Sequence, residues 1–173
     1  MRFDERPQRI LLPVNAGFMA LSFVLALLFN LLPWRNISGV PDLAALVLTF
    51  WCVHQPRRVG IGTAWLLGVV MDAGNGALLG QHAFAYSVLA FAAVGLHRRI
   101  LWFSPWRQAA HVLLLLLACQ VLALAVAMIA GSAFPGYAYF AGSLVAAALW
   151  PAVMFLLLLP QRRPESVDKN RPI

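Results

Sequence analysis

The chain has 173 residues, of which 62% are hydrophobic and only 11% are charged, and its mean hydropathy is +0.79. Soluble domains are about 45–50% apolar and about 25% charged, and disordered chains are less hydrophobic still, so the composition excludes both classes. It predicts an integral membrane protein, so the net charge of +7 points to membrane topology rather than to a nucleic-acid partner.

The apolar runs predict six transmembrane helices with short connections, because about 20 mostly apolar residues are needed to cross a bilayer. The first run, 10–33, follows three arginines, as a signal peptide would. It is too long for the apolar part of a signal peptide, which favours a retained helix. The second run, 41–55, begins with Pro-Asp and stops before Pro56, and both are typical boundary residues.

The remaining runs predict spans at 59–73, 81–96, 108–130 and 136–159. The regular pattern of the third span breaks at its end, where the letters DAGNG bring two glycines and an asparagine. Together the six spans predict an all-α bundle in one domain, 1–160, followed by a polar cytoplasmic tail, 161–173.

The basic residues predict the orientation of the bundle. With the amino terminus inside and six crossings, the inside segments carry every lysine and arginine except Arg35. This distribution follows the positive-inside rule, so both termini are predicted to be cytoplasmic. Topology signals or lipid contacts are assigned to Arg57, Arg58, Arg98, Arg99, Arg162 and Arg163.

Two acids, Asp42 and Asp72, are predicted to lie at membrane depth, where charged groups are costly and often functional. At about 1.5 Å per residue, both lie roughly 21–23 Å from the turn at 57–58, on adjacent antiparallel helices. Asp42 is either a helix N-cap, with Asp72 at the outer headgroup level, or the pair forms a docking site for a partner. A proton or cation site in a transporter is the third interpretation, and Arg35 is the outside cation available as a counter-charge.

Small residues recur every four positions along the third span, at Gly60, Ala64 and Gly68, and Asp72 continues the same face. Such a stripe lets helix backbones approach closely in lipid. It predicts internal packing against the second or fourth helix, or contact with the single helix of a partner or a second copy of the chain.

The segment between the third and fourth spans holds Gly74, Gly76 and Gly80, followed by His82. No lysine or arginine follows, so a phosphate-binding loop is not predicted. Non-helical backbone at this depth must be buried in protein or line a cavity, which predicts a tight, partly re-entrant connection facing outward.

Other polar residues predict structural rather than catalytic roles. Hydrogen bonds between helices are expected from Asn15, Asn30, Gln120 and Ser143. The cysteines, Cys52 and Cys119, lie in apolar runs without metal-ligand spacing, and no catalytic constellation is present in the sequence. We therefore predict no enzyme activity, no metal and no cofactor.

The segment 41–91 resembles the rod shape-determining protein MreD family. The resemblance rests on the Pro-Asp-Leu start at Pro41, the arginine-bearing turn at 57–58 and the Gly-x-x-x-Asp motif at 68–72. It also rests on the glycine- and leucine-containing segment that follows and ends in Gly80-Gln81-His82. The letters HRRI at 97–100, a leucine-rich fifth span and the total of six spans also fit this family.

The resemblance implies a non-enzymatic scaffold of the cell-elongation machinery in the bacterial inner membrane. Implied partners are MreC, the actin-like MreB, and the peptidoglycan glycosyltransferase RodA with its transpeptidase partner, besides membrane lipids. It also implies a bundle like that of the substrate-binding subunits of energy-coupling-factor transporters, with Asp42 and Asp72 flanking an outer ligand pocket or its collapsed remnant. The alternative is a small-molecule-binding subunit of a vitamin-type transporter, marked by a polar, aromatic-lined cavity around Asp72 and Trp34.

Candidate residues for the partner interface or pocket are assigned from these patterns. They are Asp42, Asp72, Arg35, Gly60, Ala64, Gly68, Gly76, Gly80 and His82.

Overall fold

The computed structural model describes residues 15–33 and 39–161, and these fold entirely into helices and connections, without a strand. The α-helices are α1 (Ala16–Asn30), α2 (Leu43–His54), α3 (Ile61–Asn75), α4 (Gln81–Leu101), α5 (Pro105–Ile129) and α6 (Ala141–Leu158). Short 3-10 turns, Tyr137–Phe140 and Leu159–Gln161, flank α6. The prediction of an all-α protein is therefore confirmed for the described residues.

Helix α2 forms the core of the bundle, because every residue from Ala44 to Val53 is buried. A helix that is apolar on all sides lies either in lipid or inside a protein core, and the burial of α2 places it in the core. Helices α4, α1 and α6 provide most of the surface that surrounds α2. Within this core, the indole Nε1 of Trp51 donates a hydrogen bond of 2.9 Å to Ser22 Oγ on α1, so its buried N–H is satisfied.

The short connections make successive helices antiparallel and give the bundle two chemically different ends. We call one the polar end, where α1, α3 and α5 finish and where Asp42, His82 and Ser143 lie close together. The opposite one is the arginine end, which holds the turn at 57–58 and the last turn of α4 with Arg98 and Arg99. All four of these arginines are exposed.

Three helices begin or end a few residues from the approximate predicted spans, each for a local reason. Helix α3 does not break at Asp72 but continues to Asn75, and it stops at Gly76, whose φ of +61° lets its N–H bond the Asp72 carbonyl. Helix α4 extends beyond 96 to Leu101, because its basic last turn interacts favourably with the helix dipole. Helix α5 starts at Pro105 rather than 108, since proline suits the first helical position.

The helices differ in whether they are long enough to cross a membrane. Three segments of the described chain are sufficiently long and apolar: Gln81–Leu101, Pro105–Ile129 and Tyr137–Gln161. Helices α1 and α2 are apolar but have 15 and 12 residues, which correspond to about 22 Å and about 18 Å. Residues 10–14 of the first predicted span lie outside the described residues, and six crossings stay a prediction.

Candidate functional site

Asp42 and Asp72 lie at the polar end. Residues on neighbouring turns of α4 form hydrogen bonds with both carboxylates. Tyr86 contacts Asp42 and His82 contacts Asp72, and the rings of Tyr86 and His82 are 5.9 Å apart in an edge-to-face arrangement. The structure thus brings together two carboxylates that are far apart in sequence. Their common level was predicted, but their connection through α4 was not.

Asp42 is the N-cap of α2, as one of the sequence interpretations predicted. Its Oδ1 accepts hydrogen bonds from Ala45 N at 2.9 Å and from Asn30 Nδ2 at 2.6 Å, and its Oδ2 accepts one from the Tyr86 hydroxyl at 2.7 Å. Asn30 Oδ1 in turn accepts from Leu43 N at 3.0 Å. The cap therefore also connects α1, α2 and α4.

Asp72 caps the amino terminus of α4 from the last turns of α3. Its Oδ1 accepts from His82 N at 2.9 Å and from His82 Nδ1 at 2.8 Å, and its Oδ2 accepts from Gly80 N at 2.9 Å and Ala83 N at 3.3 Å. A carboxylate is favourable there because the first N–H groups of a helix lack partners and carry partial positive charge. Asp72 is completely buried, so it contacts neither headgroups nor solvent and exposes no atom to a partner.

The small-residue stripe of α3 packs against α4, which confirms the prediction of internal packing for Gly68 and Ala64. Ala64 is completely buried, and a Cβ atom at Gly68 would clash with the backbone of Ala83. Gly60 is different, because it precedes the helix as its N-cap residue and has open space around its Cα. The close approach at Gly68 lets Asp72, one turn later, reach the first N–H groups of α4.

The connection between α3 and α4 is a tight turn, 76–80, as predicted, and its partly re-entrant position in the membrane stays a prediction. Gly76 and Gly80 have φ angles of +61° and +104°, a left-handed region that favours glycine. This turn directs the Gly80 N–H towards Asp72 Oδ2.

A partly open cavity of about 210 Å³ lies at the polar end. Residues from each of the helices α1 to α6 line it. The polar lining includes Asn30, Asp42, His82, Tyr86, Gln120 and Ser143. Asp72 does not line the cavity, which corrects the expectation that both acids flank it, because its carboxylate is turned to the backbone of α4 instead. Trp34 and Arg35, which were expected near this site, lie outside the described residues.

Helices α5 and α6 are joined at the cavity by a second polar contact. The Ser143 hydroxyl donates to Gln120 Oε1 at 2.6 Å, and Gln120 Nε2 donates to the Tyr139 carbonyl at 3.3 Å. These bonds, with that of Asn30, confirm the predicted roles of three polar residues between elements. The fourth, Asn15, instead caps its own helix by accepting from Gly17 N.

Tyr86 is the functional residue that sequence reasoning missed. It is completely buried, and its position four residues after His82 places both side chains on one face of α4. That spacing was the available signal. Without the fold, however, nothing indicated that Asp42, 44 residues away, would accept its hydroxyl.

We expect Tyr86→Phe to lower the stability of the chain by about 1–2 kcal/mol, because it leaves Asp42 Oδ2 without its donor in a buried site. Thermal unfolding in detergent should show a lower Tm. The matched control is Tyr137→Phe, since Tyr137 is 87% exposed and its replacement should leave Tm unchanged. Equal Tm values for Tyr86→Phe and the unmodified chain would contradict this role of the hydroxyl.

A second concave surface, the apolar groove, lies between α1 and α6, and α2 forms its floor. It has a volume of about 540 Å³ and is bounded by α1, the first half of α2 and the last half of α6. Its lining includes Phe18, Leu21, Leu25, Val47, Leu156 and Pro160. Leu25 and Leu156 are 58% and 61% exposed, so they are available to a molecule lying in the groove.

The described residues contain no group of three or more His, Cys, Asp or Glu side chains placed to hold a metal ion. Cys52 and Cys119 are buried free thiols. Arg162 and Arg163 lie outside the described residues, so their assigned lipid contacts stay a prediction.

Comparison with known proteins gives one family. The family model of the rod shape-determining protein MreD matches residues 13–160. A curated protein of Haemophilus influenzae (strain ATCC 51907 / DSM 11121 / KW20 / Rd), named rod shape-determining protein MreD, is 32% identical over 143 residues, which cover 82% of this chain and 88% of that protein. No solved structure matches the chain.

Proposed function

This chain belongs to the rod shape-determining protein MreD family, and on this basis we propose that it is a non-enzymatic scaffold of the cell-elongation and peptidoglycan-synthesis machinery. Family membership supports a role in rod shape determination, and the three long apolar helices support a membrane protein. The proposed direct partner is MreC. MreB, RodA and its transpeptidase are further proposed partners.

We further propose that the chain crosses the bacterial inner membrane six times, with the arginine end and both termini in the cytoplasm. Every arginine of the described residues lies at that end, as the positive-inside rule requires. Trp102 and Trp106, which are 92% and 73% exposed, flank the turn between α4 and α5, and exposed tryptophans are typical of a membrane interface. Contacts of these arginines with anionic lipid or with MreB belong to the same proposal.

The observation that carries the proposed partner is the apolar groove between α1 and α6. Helix association in lipid depends on van der Waals contact, because burying an apolar side chain gains little when lipid already surrounds it. A groove provides more such contact for a single helix than a convex surface does. We therefore propose that the transmembrane helix of MreC lies in this groove, against the exposed leucines of α1 and α6.

The test is co-purification of MreC in mild detergent with the double variant Leu25→Ala/Leu156→Ala. We expect the recovered MreC to fall about tenfold, which corresponds to about 1.4 kcal/mol, because both leucines would face the partner helix. The control is Leu114→Ala/Leu144→Ala, in which the leucines are 67% and 56% exposed on α5 and α6 but do not line the groove.

Equal recovery of MreC with both double variants would overturn the groove assignment. Variants at Gly68 or Asp72 do not test it, because these residues contact α4 inside the bundle. Loss of MreC in those variants would report an altered fold.

The second candidate, a small-molecule-binding subunit of a vitamin-type transporter, is favoured by the cavity at the polar end. It predicts thermal stabilisation of the purified chain by a vitamin and no co-purifying MreC. Recovery of MreC without any such stabilisation would exclude this candidate.

A further inference from the structure

The cavity at the polar end has a chemistry that the scaffold role does not use. We propose that it binds a primary ammonium group, carried either by a small free amine or by the headgroup of an ethanolamine phospholipid. The inference is independent of MreC binding, because the apolar groove is lined by other residues.

With respect to the residues that the structure describes, Asp42 has an unused hydrogen-bond acceptor position. An ionised carboxylate offers about four lone-pair sites, two on each oxygen. Oδ1 accepts two hydrogen bonds, from Asn30 and Ala45, whereas Oδ2 accepts one, from Tyr86. The remaining site on Oδ2 belongs to a residue that lines the cavity, so a ligand that donates a hydrogen bond would complete it.

Two further side chains of the polar lining provide acceptors. The Ser143 hydroxyl uses its hydrogen for Gln120, which leaves its oxygen lone pairs for a ligand. His82 Nδ1 lies 2.8 Å from Asp72 Oδ1, and the tautomer that carries its hydrogen on Nδ1 presents Nε2 as an acceptor. An ammonium group has three donors and no acceptor, and it therefore matches this lining.

The charge at the cavity favours a cation. Within residues 15–33 and 39–161, Asp42 forms no ion pair, and all the arginines are at the opposite end of the bundle. A partly buried carboxylate without a counter-charge is unfavourable in a low-dielectric environment. A bound ammonium ion would form a charge-assisted hydrogen bond with Oδ2.

The size and the apolar lining fit a short amine. A volume of about 210 Å³ corresponds to roughly seven water molecules at about 30 Å³ each. The aromatic side chains of Tyr86 and Tyr139 line the cavity, and aromatic faces attract cations. Leu116 and Ala123 add apolar surface for the methylene groups of ethanolamine.

The test measures thermal unfolding of the purified full chain in detergent with two probes, free ethanolamine and dihexanoyl-phosphatidylethanolamine. Dihexanoyl-phosphatidylglycerol, which lacks the ammonium group, is the ligand control. We expect Tm to rise with at least one ammonium probe, because a ligand that binds the folded state stabilises it. A rise with free ethanolamine identifies a small amine as sufficient, and a rise with the lipid alone identifies the headgroup.

The decisive variant is Asp42→Asn, which removes the charge and keeps the fold. Asparagine is as good an N-cap as aspartate, and its amide can donate to the Tyr86 oxygen in place of the present bond. We expect the apparent Kd for the active probe to rise by about tenfold or more, since a charge-assisted bond is lost. The control is Leu144→Ala, an exposed neighbour of Ser143 that does not line the cavity, and it should bind normally.

Native mass spectrometry after reconstitution in nanodiscs of mixed phosphatidylethanolamine and phosphatidylglycerol gives a second measurement, because retained lipid is counted directly. No Tm rise with either ammonium probe, together with no preferential retention of phosphatidylethanolamine, would overturn the proposal. Equal binding by the unmodified chain and Asp42→Asn would overturn it as well.

Discussion

Gly68→Ala should destabilise the chain by about 3 kcal/mol, at the upper end of the usual cost of overpacking a well-packed interior. A Cβ atom at this position would meet the backbone of Ala83 and His82 in the first turn of α4. Backbone cannot move aside as the end of a flexible side chain can, so α3 and α4 must separate. The separation also withdraws Asp72 from the N–H groups that it caps.

Thermal or denaturant unfolding in detergent measures this effect, and Gly95→Ala is the matched control. Gly95 lies inside α4, and a Cβ atom there would meet nothing within 4 Å. Alanine should therefore be neutral or stabilise the helix by about 0.5–1 kcal/mol. If Gly68→Ala were as stable as Gly95→Ala, the close packing of α3 on α4 would be wrong.

Asp72→Ala should cost about 3–4 kcal/mol, because it leaves several buried N–H donors without an acceptor, each at about 1–3 kcal/mol before relaxation. The donors are the backbone N–H groups of Gly80, His82 and Ala83. The N-terminal turn of α4 should fray as a result. Hydrogen exchange at residues 80–84, combined with the unfolding midpoint, measures both the local and the global consequence.

Asp72→Asn separates the contribution of charge from that of hydrogen bonding. Both carboxylate oxygens accept from N–H groups, and an amide can replace only one of them without directing its own N–H at a donor. We therefore expect a loss intermediate between those of Asp72→Ala and the unmodified chain, whereas Asp72→Leu should be at least as harmful as Asp72→Ala. The control is Asn75→Ala, which changes an exposed side chain on the same helix.

An unchanged stability for Asp72→Asn would show that the carboxylate does not accept on both oxygens. The structure would then assign the wrong partners to Asp72, although the internal location of the residue would stand.

Asp42 and Asp72 illustrate how far the sequence reached into the site. Their similar distance from the turn at 57–58 was available from residue counting, and so was the N-cap role of Asp42. Their different environments were not available. Asp72 is sequestered by the backbone of α4, whereas Asp42 lines the cavity. This difference depends on the approach of α3 to α4, which brings together residues that are distant in sequence.

The apolar groove shows a second limit. Leu25 and Leu156 are as hydrophobic as the buried Leu46 and Leu48. In lipid, a side chain facing the bilayer and one facing the core have the same apolar character, so hydrophobicity does not tell them apart. The groove between α1 and α6, on which the proposed MreC site depends, could therefore be found only from the packed helices.

By itself, the sequence determined the class of protein, the approximate position of each helix, the separation of the arginines from the acids and the resemblance to the MreD family. These properties follow from composition, from run length and from motifs that are local in the chain. The tertiary structure alone decided that α2 is the core, that Asp72 caps α4, that Tyr86 bonds Asp42, and where the cavity and the apolar groove lie. Those features depend on which helix faces which, and a chain that is apolar on nearly every face carries little periodic signal of that choice.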